Sequence, residues 1–216
     1  MVFVHGGFWI KLDKSFWSHF AQGPLAHGYA VAIPSYTLCP AIRVSGITRE
    51  IGKAVEAAVA MIEGPIRLIG HSAGGHLVSR MISSTSPLPA VVAQRIAHVV
   101  SLFGLHDLRP LLGTNLTETI GLDMEEALKE SPTLPTPGAD IRITCWAGAN
   151  ERSEFIRQNA LLANIWRGLG AAAACMEEPD RHHFNIMGSL LDPTHPLTVA
   201  LMTVFRRGIL DLTHFR

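Results

Sequence analysis

Apolar positions along this chain alternate between two spacings. Short runs rich in Val, Ile, Phe and Tyr, at residues 2–5, 29–33, 66–69, 98–103, 141–147 and the alanine-rich 172–176, read as strands. Longer stretches at 15–26, 47–62, 73–82, 124–130, 154–169 and 196–210 read as helices. In the second of these, Ile47, Ile51, Val55, Val59 and Ile62 recur at helical spacing and form one apolar stripe. Strands alternating with helices predict a mostly parallel sheet covered by helices on both faces. Residues 108–140 interrupt the alternation. They hold "TNLTET", "SPTLPTPGAD" and one short helix, and a connection this long predicts a small partial cap.

Composition limits the classes. The 216 residues suit a single domain, 1–216, with a sizeable core. Hydrophobic residues make up 48% and charged ones 17%, too apolar for a disordered chain. Lys+Arg and Asp+Glu are both 18, so neither nucleic acid nor an anionic membrane is expected as a partner. No apolar run is long enough for a membrane span. Cys39, Cys145 and Cys175 are scattered and odd in number, and no basic segment precedes an apolar run at the start. Both features point to a reducing, cytoplasmic setting. The eleven histidines lack metal-ligand spacing, so no metal and no cofactor is expected.

The stretch "PIRLIGHSAGGHLVSRM", residues 65–81, passes from strand to helix without a linker. Gly70 and Gly74 allow close backbone approach at the bend, which lifts Ser72 out of the sheet edge. The free N–H groups of the new helix then lie beside its hydroxyl, as a nucleophilic serine requires. A glycine-rich turn with a serine cap is the plainer reading of the same five residues.

In parallel sheets, ligands bind beyond the carboxyl ends of the strands. There the chain carries "HGGFW" (5–9), Ser72, "GLHDLRP" with His106 and Asp107, "GANERSEF" with Glu151 and Glu154, and "EEPDRHHF" with His182 and His183. A serine, candidate acids and candidate histidines thus gather at one edge, in the order Ser, acid, His.

"HGGFW", "SYTLCP", "GHSAGGHL", "EFIRQN" and "HHF" together resemble the α/β-hydrolase superfamily of esterases and lipases, and most closely its kynurenine formamidase-like branch. The resemblance implies an α/β-hydrolase fold and a serine hydrolase acting on a small ester or formamide. It implies Ser72 as nucleophile, His183 as general base and Glu151 as triad acid. It also implies an oxyanion hole in the His5–Phe8 loop, with the N–H groups of Gly7, Phe8 and Ala73 as donors. The family's acid is usually Asp, and Asp107 and Glu154 are the alternatives to Glu151. Trp9 and His71 are the expected substrate contacts, although core packing is commoner for a Trp beside a sheet. Tyr36 is expected to brace the oxyanion loop, His76 to pack or cap, and His182 to be solvated.

The resembling proteins carry a preceding helix and two strands. Without those N-terminal strands, about six parallel strands are expected, with 29–33 as an exposed edge, so that either the sequence is truncated or another chain, in a homo-oligomer for instance, covers this edge. Three functions fit: an arylformamidase-like amidase on an N-formylkynurenine-type substrate, a short-chain carboxylesterase or thioesterase, and a catalytically silent hydrolase-fold binding protein.

Overall fold

The computed structural model describes residues 1–202. Its sheet has five parallel strands in sequence order: β1 (Val2–Val4), β2 (Ile66–His71), β3 (Ile96–Leu102), β4 (Arg142–Gly148) and β5 (Ala172–Glu178). The helices are α1 (Gln22–Ala26), α2 (Val44–Met61), α3 (Ala73–Arg80), α4 (Ala90–Ala93), α5 (Leu116–Ile120), α6 (Met124–Glu130), α7 (Ser153–Gly168) and α8 (Pro196–Met202). Of the helix expected at 196–210, α8 forms 196–202, and the rest lies outside the described residues.

Period-two alternation divides the strands between two cores. Val2, Val4, Leu68, Val99, Ile143 and Cys145 face α2, α3 and α7, whose Ile47, Ile51, Leu77, Leu162 and Trp166 complete one apolar cluster. Phe3, Ile69, Val100, Leu102 and Trp146 face the other way, onto Met187, Leu190 and the Leu197 and Leu201 of α8. Both faces are buried, which is why the strands read as almost continuous apolar runs.

Two expectations need correcting. Residues 29–33 do not form a sixth strand. Ala32 makes one parallel bridge to Val2, through Phe3 N–H to Ala32 O and Ala32 N–H to Met1 O, both 2.9 Å. β1 offers only three residues to pair with, and Pro34 has no N–H to continue the ladder. Residues 15–26 are not one helix either. They break into 3₁₀ turns at Lys14–Phe16 and Ser18–Ala21 and then α1, where Gly23 and Pro24, the two poorest helix formers, sit together.

Residues 108–140 fold against α2 and α3. Asp123 caps α6 by accepting the Glu126 N–H at 2.8 Å. Glu126 then accepts the Ser45 N–H at 2.7 Å, and Glu130 accepts the Thr48 hydroxyl at 2.6 Å and pairs with Arg80 at 3.1 Å.

Candidate active site

Ser72 is the single residue between β2 and α3. It adopts φ 55°, ψ −116°, a region that costs a non-glycine residue roughly 1–3 kcal/mol and persists only where the surroundings enforce it. Here its N–H donates to the Leu102 carbonyl at 2.7 Å, and its carbonyl accepts the His76 N–H at 3.1 Å. The flanking glycines are required by contact. A Cβ on Gly70 would lie 2.0 Å from the Gly74 carbonyl oxygen, and one on Gly74 would lie 2.0 Å from that of Val4.

The loop after β1 is folded just as tightly. Gly7, Phe8 and Trp9 all have positive φ, at 120°, 53° and 61°. The Gly7 carbonyl accepts the N–H groups of Ile10 and Lys11, at 3.0 and 3.2 Å. The Tyr36 hydroxyl donates to the His5 carbonyl at 3.1 Å, and its ring stacks on the His5 ring at 4.3 Å, which braces the loop from the neighbouring chain segment. The N–H groups of Gly7, Phe8 and Ala73 have no acceptor among the hydrogen bonds of the described residues.

The loops after β4 and β5 are joined by backbone. Ala149 N–H donates to Glu178 O at 2.8 Å and Asn150 N–H to Arg181 O at 2.9 Å. A Cβ on Gly148 would stand 2.2 Å from the Arg181 carbonyl oxygen, so glycine is what admits the second loop. Glu178 ties this corner further, accepting from Trp146 Nε1 at 3.0 Å and Arg181 Nε at 2.9 Å and standing 3.1 Å from His195 Nε2.

This joining brings Glu151 to His183. Glu151 Oε2 lies 3.2 Å from His183 Nδ1, with both side chains nearly buried. The contact is close but out of line for a hydrogen bond. The other oxygen of Glu151 accepts the Arg152 N–H at 2.8 Å. Burial, followed by the charges of Arg152 and His182, pushes the His183 pKa down to about 4, so the ring is neutral at pH 7. Phe103 and Phe155 pack on that ring at 5.0 and 4.6 Å between centroids.

The alternative acids are engaged elsewhere. Asp107 is gripped by Arg109 through two bonds of 2.8 Å, and Glu154 by Arg157 through bonds of 2.7 and 2.6 Å. Arginine at each site holds the carboxyl below its ordinary pKa. His182 is exposed and accepts the Phe184 N–H at 3.3 Å. His106 is buried between the Ser101 hydroxyl and the Gln158 carbonyl, each at 2.9 Å. His76 donates to the Glu130 carbonyl at 2.7 Å.

The two expected substrate contacts differ in outcome. Trp9 is fully buried, edge-on to His76 at 5.3 Å, and packs in the core beneath α3. The positive φ angles of its loop carry it away from the cleft. His71 does line the cleft, but its Nε2 is already committed to the His183 carbonyl at 2.8 Å. Burial lowers its pKa to about 3, so the ring is neutral and this nitrogen carries the donated proton.

Ser72, His183, Glu151, Gly7 and Phe8 all border one cleft of about 200 Å³. Its other walls are Leu12, Trp17, Phe155 and Phe184, with Lys11 and Arg152. Sequence reasoning did not single out these six for the site. Arg152 and Phe184 adjoin Glu151 and His183, which was a usable signal. Nothing local marked Trp17, which arrives through the 3₁₀ turns after the strained loop.

A parallel sheet with a strained strand–serine–helix elbow at its carboxyl edge is the fold of the α/β hydrolases. No family model matches the chain. A kynurenine formamidase of Danio rerio is 28% identical over 217 residues, covering 96% of this chain and 73% of its own. A crystal structure from Silicibacter sp., provisionally called a thioesterase, is 45% identical, with TM-score 0.89 over 94% of this chain and 75% of that one. A Pyrobaculum calidifontis esterase shares the fold at 15% identity, with TM-score 0.72 over 93% of this chain and 73% of that one. The chain belongs to the α/β-hydrolase superfamily, among its esterase and formamidase-like members. It is a hydrolase similar to the kynurenine formamidases. Among the described residues, no helix is long and apolar enough to cross a membrane.

Proposed function

We propose that the 216-residue chain works as one hydrolase domain that cleaves a small formamide of the N-formylkynurenine type through Ser72, His183 and Glu151. The observation that carries this reading is the meeting, at one cleft, of a serine held at φ 55° and a neutral histidine with a carboxylate 3.2 Å from its far nitrogen.

In this reading Ser72 Oγ attacks the formyl carbon while His183 Nε2 takes the hydroxyl proton. Glu151 orients the imidazole and stabilises it once charged. The N–H groups of Gly7, Phe8 and Ala73 receive the negative oxygen, and one such donor is typically worth ~10²–10³ in rate. The C–N bond then breaks, and His183 returns its proton to the departing aryl amine. Water, deprotonated by His183, attacks the formyl-serine ester and releases formate. The tight turn at Gly7 and Phe8 supports a small acyl group, and the aromatic walls support an aryl leaving group.

The 45% identity to a chain provisionally called a thioesterase favours a second reading, in which short esters or thioesters are the substrates. Turnover of N-formylkynurenine beside p-nitrophenyl acetate, by wild type and Ser72→Ala, separates the two. Serine-dependent cleavage of both, with higher kcat/KM on the formamide, is the expected result. Cleavage of the ester alone would leave the second reading.

A further inference from the structure

Two cations border a cleft whose other walls are mainly apolar. Lys11 stands two residues after Trp9 of the strained loop, and Arg152 directly follows Glu151. Both side chains are exposed, and neither has an ion pair or a side-chain hydrogen bond among the described residues. Other arginines on nearby elements differ. Arg109, Arg157 and Arg181 each pair with a carboxylate within 2.9 Å. The carboxylates next to the two unpaired cations in sequence are already engaged. Glu151 serves His183 and the Arg152 N–H, and Asp13 accepts both the N–H and the hydroxyl of Ser15.

Resting on the Ser72 reading of this cleft, we infer that Lys11 and Arg152 select substrates carrying a carboxylate beside an aromatic ring. The ring lies against Trp17, Phe155 and Phe184, and the two cations take the acid. A guanidinium fork matches a carboxylate in plane, and the ammonium adds a point charge. The volume, about 200 Å³, falls below the ~300–1,000 Å³ of drug-sized ligand sites, which suits one ring with a short acid arm.

The same contact acts on the base. Arg152 is, after burial, the largest influence holding the His183 pKa down. A carboxylate bound to Arg152 offsets that field, so the substrate makes His183 a stronger base as it takes the Ser72 proton.

Two measurements decide the matter. The first is calorimetric titration with benzoate and with benzamide. The second is the ratio of kcat/KM for 4-acetoxybenzoate over phenyl acetate. Both are made on wild type, Lys11→Gln, Arg152→Gln and the double variant. Wild type is expected to favour the anion in both measurements, and the double variant to lose roughly tenfold of that preference, the scale of two exposed pairs acting together. Equal binding of benzoate and benzamide by wild type, or a preference that survives in the double variant, would overturn the inference. Phenyl acetate turnover that Ser72→Ala leaves intact would instead overturn the Ser72 reading, and the titrations would still decide whether the cations bind a carboxylate.

Discussion

His71 Nε2 donates to the main-chain carbonyl of His183 at 2.8 Å, and the two rings lie 4.7 Å apart. The residue before the elbow serine therefore ties the elbow to the loop that carries the histidine. Replacing His71 by Phe removes the donor while keeping a ring in the space. The expected result is a fall in kcat of roughly 10- to 100-fold with KM little changed, since small misplacements of a reacting group can cost on this order. His71→Gln, which keeps a donor, is expected to recover part of the loss. A rise in KM alone would instead make His71 a substrate contact.

Glu151 is the carboxylate that stands beside His183, while Asp107 and Glu154 are held by arginines. If Glu151 serves as the proposed triad acid, Glu151→Gln is expected to lower kcat by on the order of 10⁴. Asp107→Asn and Glu154→Gln are expected to retain most activity. Steady-state kinetics on the three variants checks the assignment, and a mild effect at Glu151 would move it to one of the others.

The pH profile follows from His183. In the proposed reaction only the neutral ring accepts the serine proton, so kcat/KM is expected to rise with pH as His183 deprotonates. Burial and Arg152 place that transition near a pKa of about 4, well below an ordinary histidine. Arg152→Gln removes a positive neighbour, so the acid limb is expected to move to higher pH. A profile on a neutral ester such as phenyl acetate tests this. A wild-type limb at pH 6.5 or above would contradict it.

Acid sensitivity of the fold follows from other histidines. Burial lowers His71, His76 and His98 to a pKa of about 3 and His106 to about 4. The unfolded chain therefore binds more protons than the folded one between roughly pH 6.5 and 3. Stability is fully present above the unfolded value and is lost as pH falls through this window. Urea midpoints are expected to stay level between pH 7 and 8 and to drop steadily from pH 6.5 to 4.5. A flat midpoint across the acid range would count against these buried, neutral rings.

Gly148 lets the Arg181 backbone approach to where a Cβ would stand 2.2 Å from its carbonyl oxygen. Gly148→Val is expected to push the histidine loop off β4 and to remove most activity. Circular dichroism and a thermal melt would separate local displacement from unfolding. Wild-type turnover in a folded Gly148→Val protein would show that the two loops tolerate separation.

Much of the frame was legible in the chain. The stripe of Ile47, Ile51 and Val55 marked α2, and residues 124–130 marked α6, because these depend on local periodicity. The strand at 29–33 was misread because extended, apolar residues become a strand only when a neighbour supplies a ladder, and β1 supplies three residues.

The site divides along the same line. The glycine spacing around Ser72 and the direct passage from strand to helix are local properties of the chain, and together they announced a bend that exposes a serine. The choice among Glu151, Asp107 and Glu154 as neighbour of His183 depends on which loops the sheet brings together, and local spacing treats the three alike. Trp9 and Trp17 are equally aromatic in the sequence. Backbone angles in the intervening loop turn one into the core and the other toward the cleft. By itself the sequence determined the alternation of strand and helix, the elbow and the order Ser, acid, His. Only the tertiary structure decided partners, burial and the walls of the cleft, because these arise from distances between residues far apart in the chain.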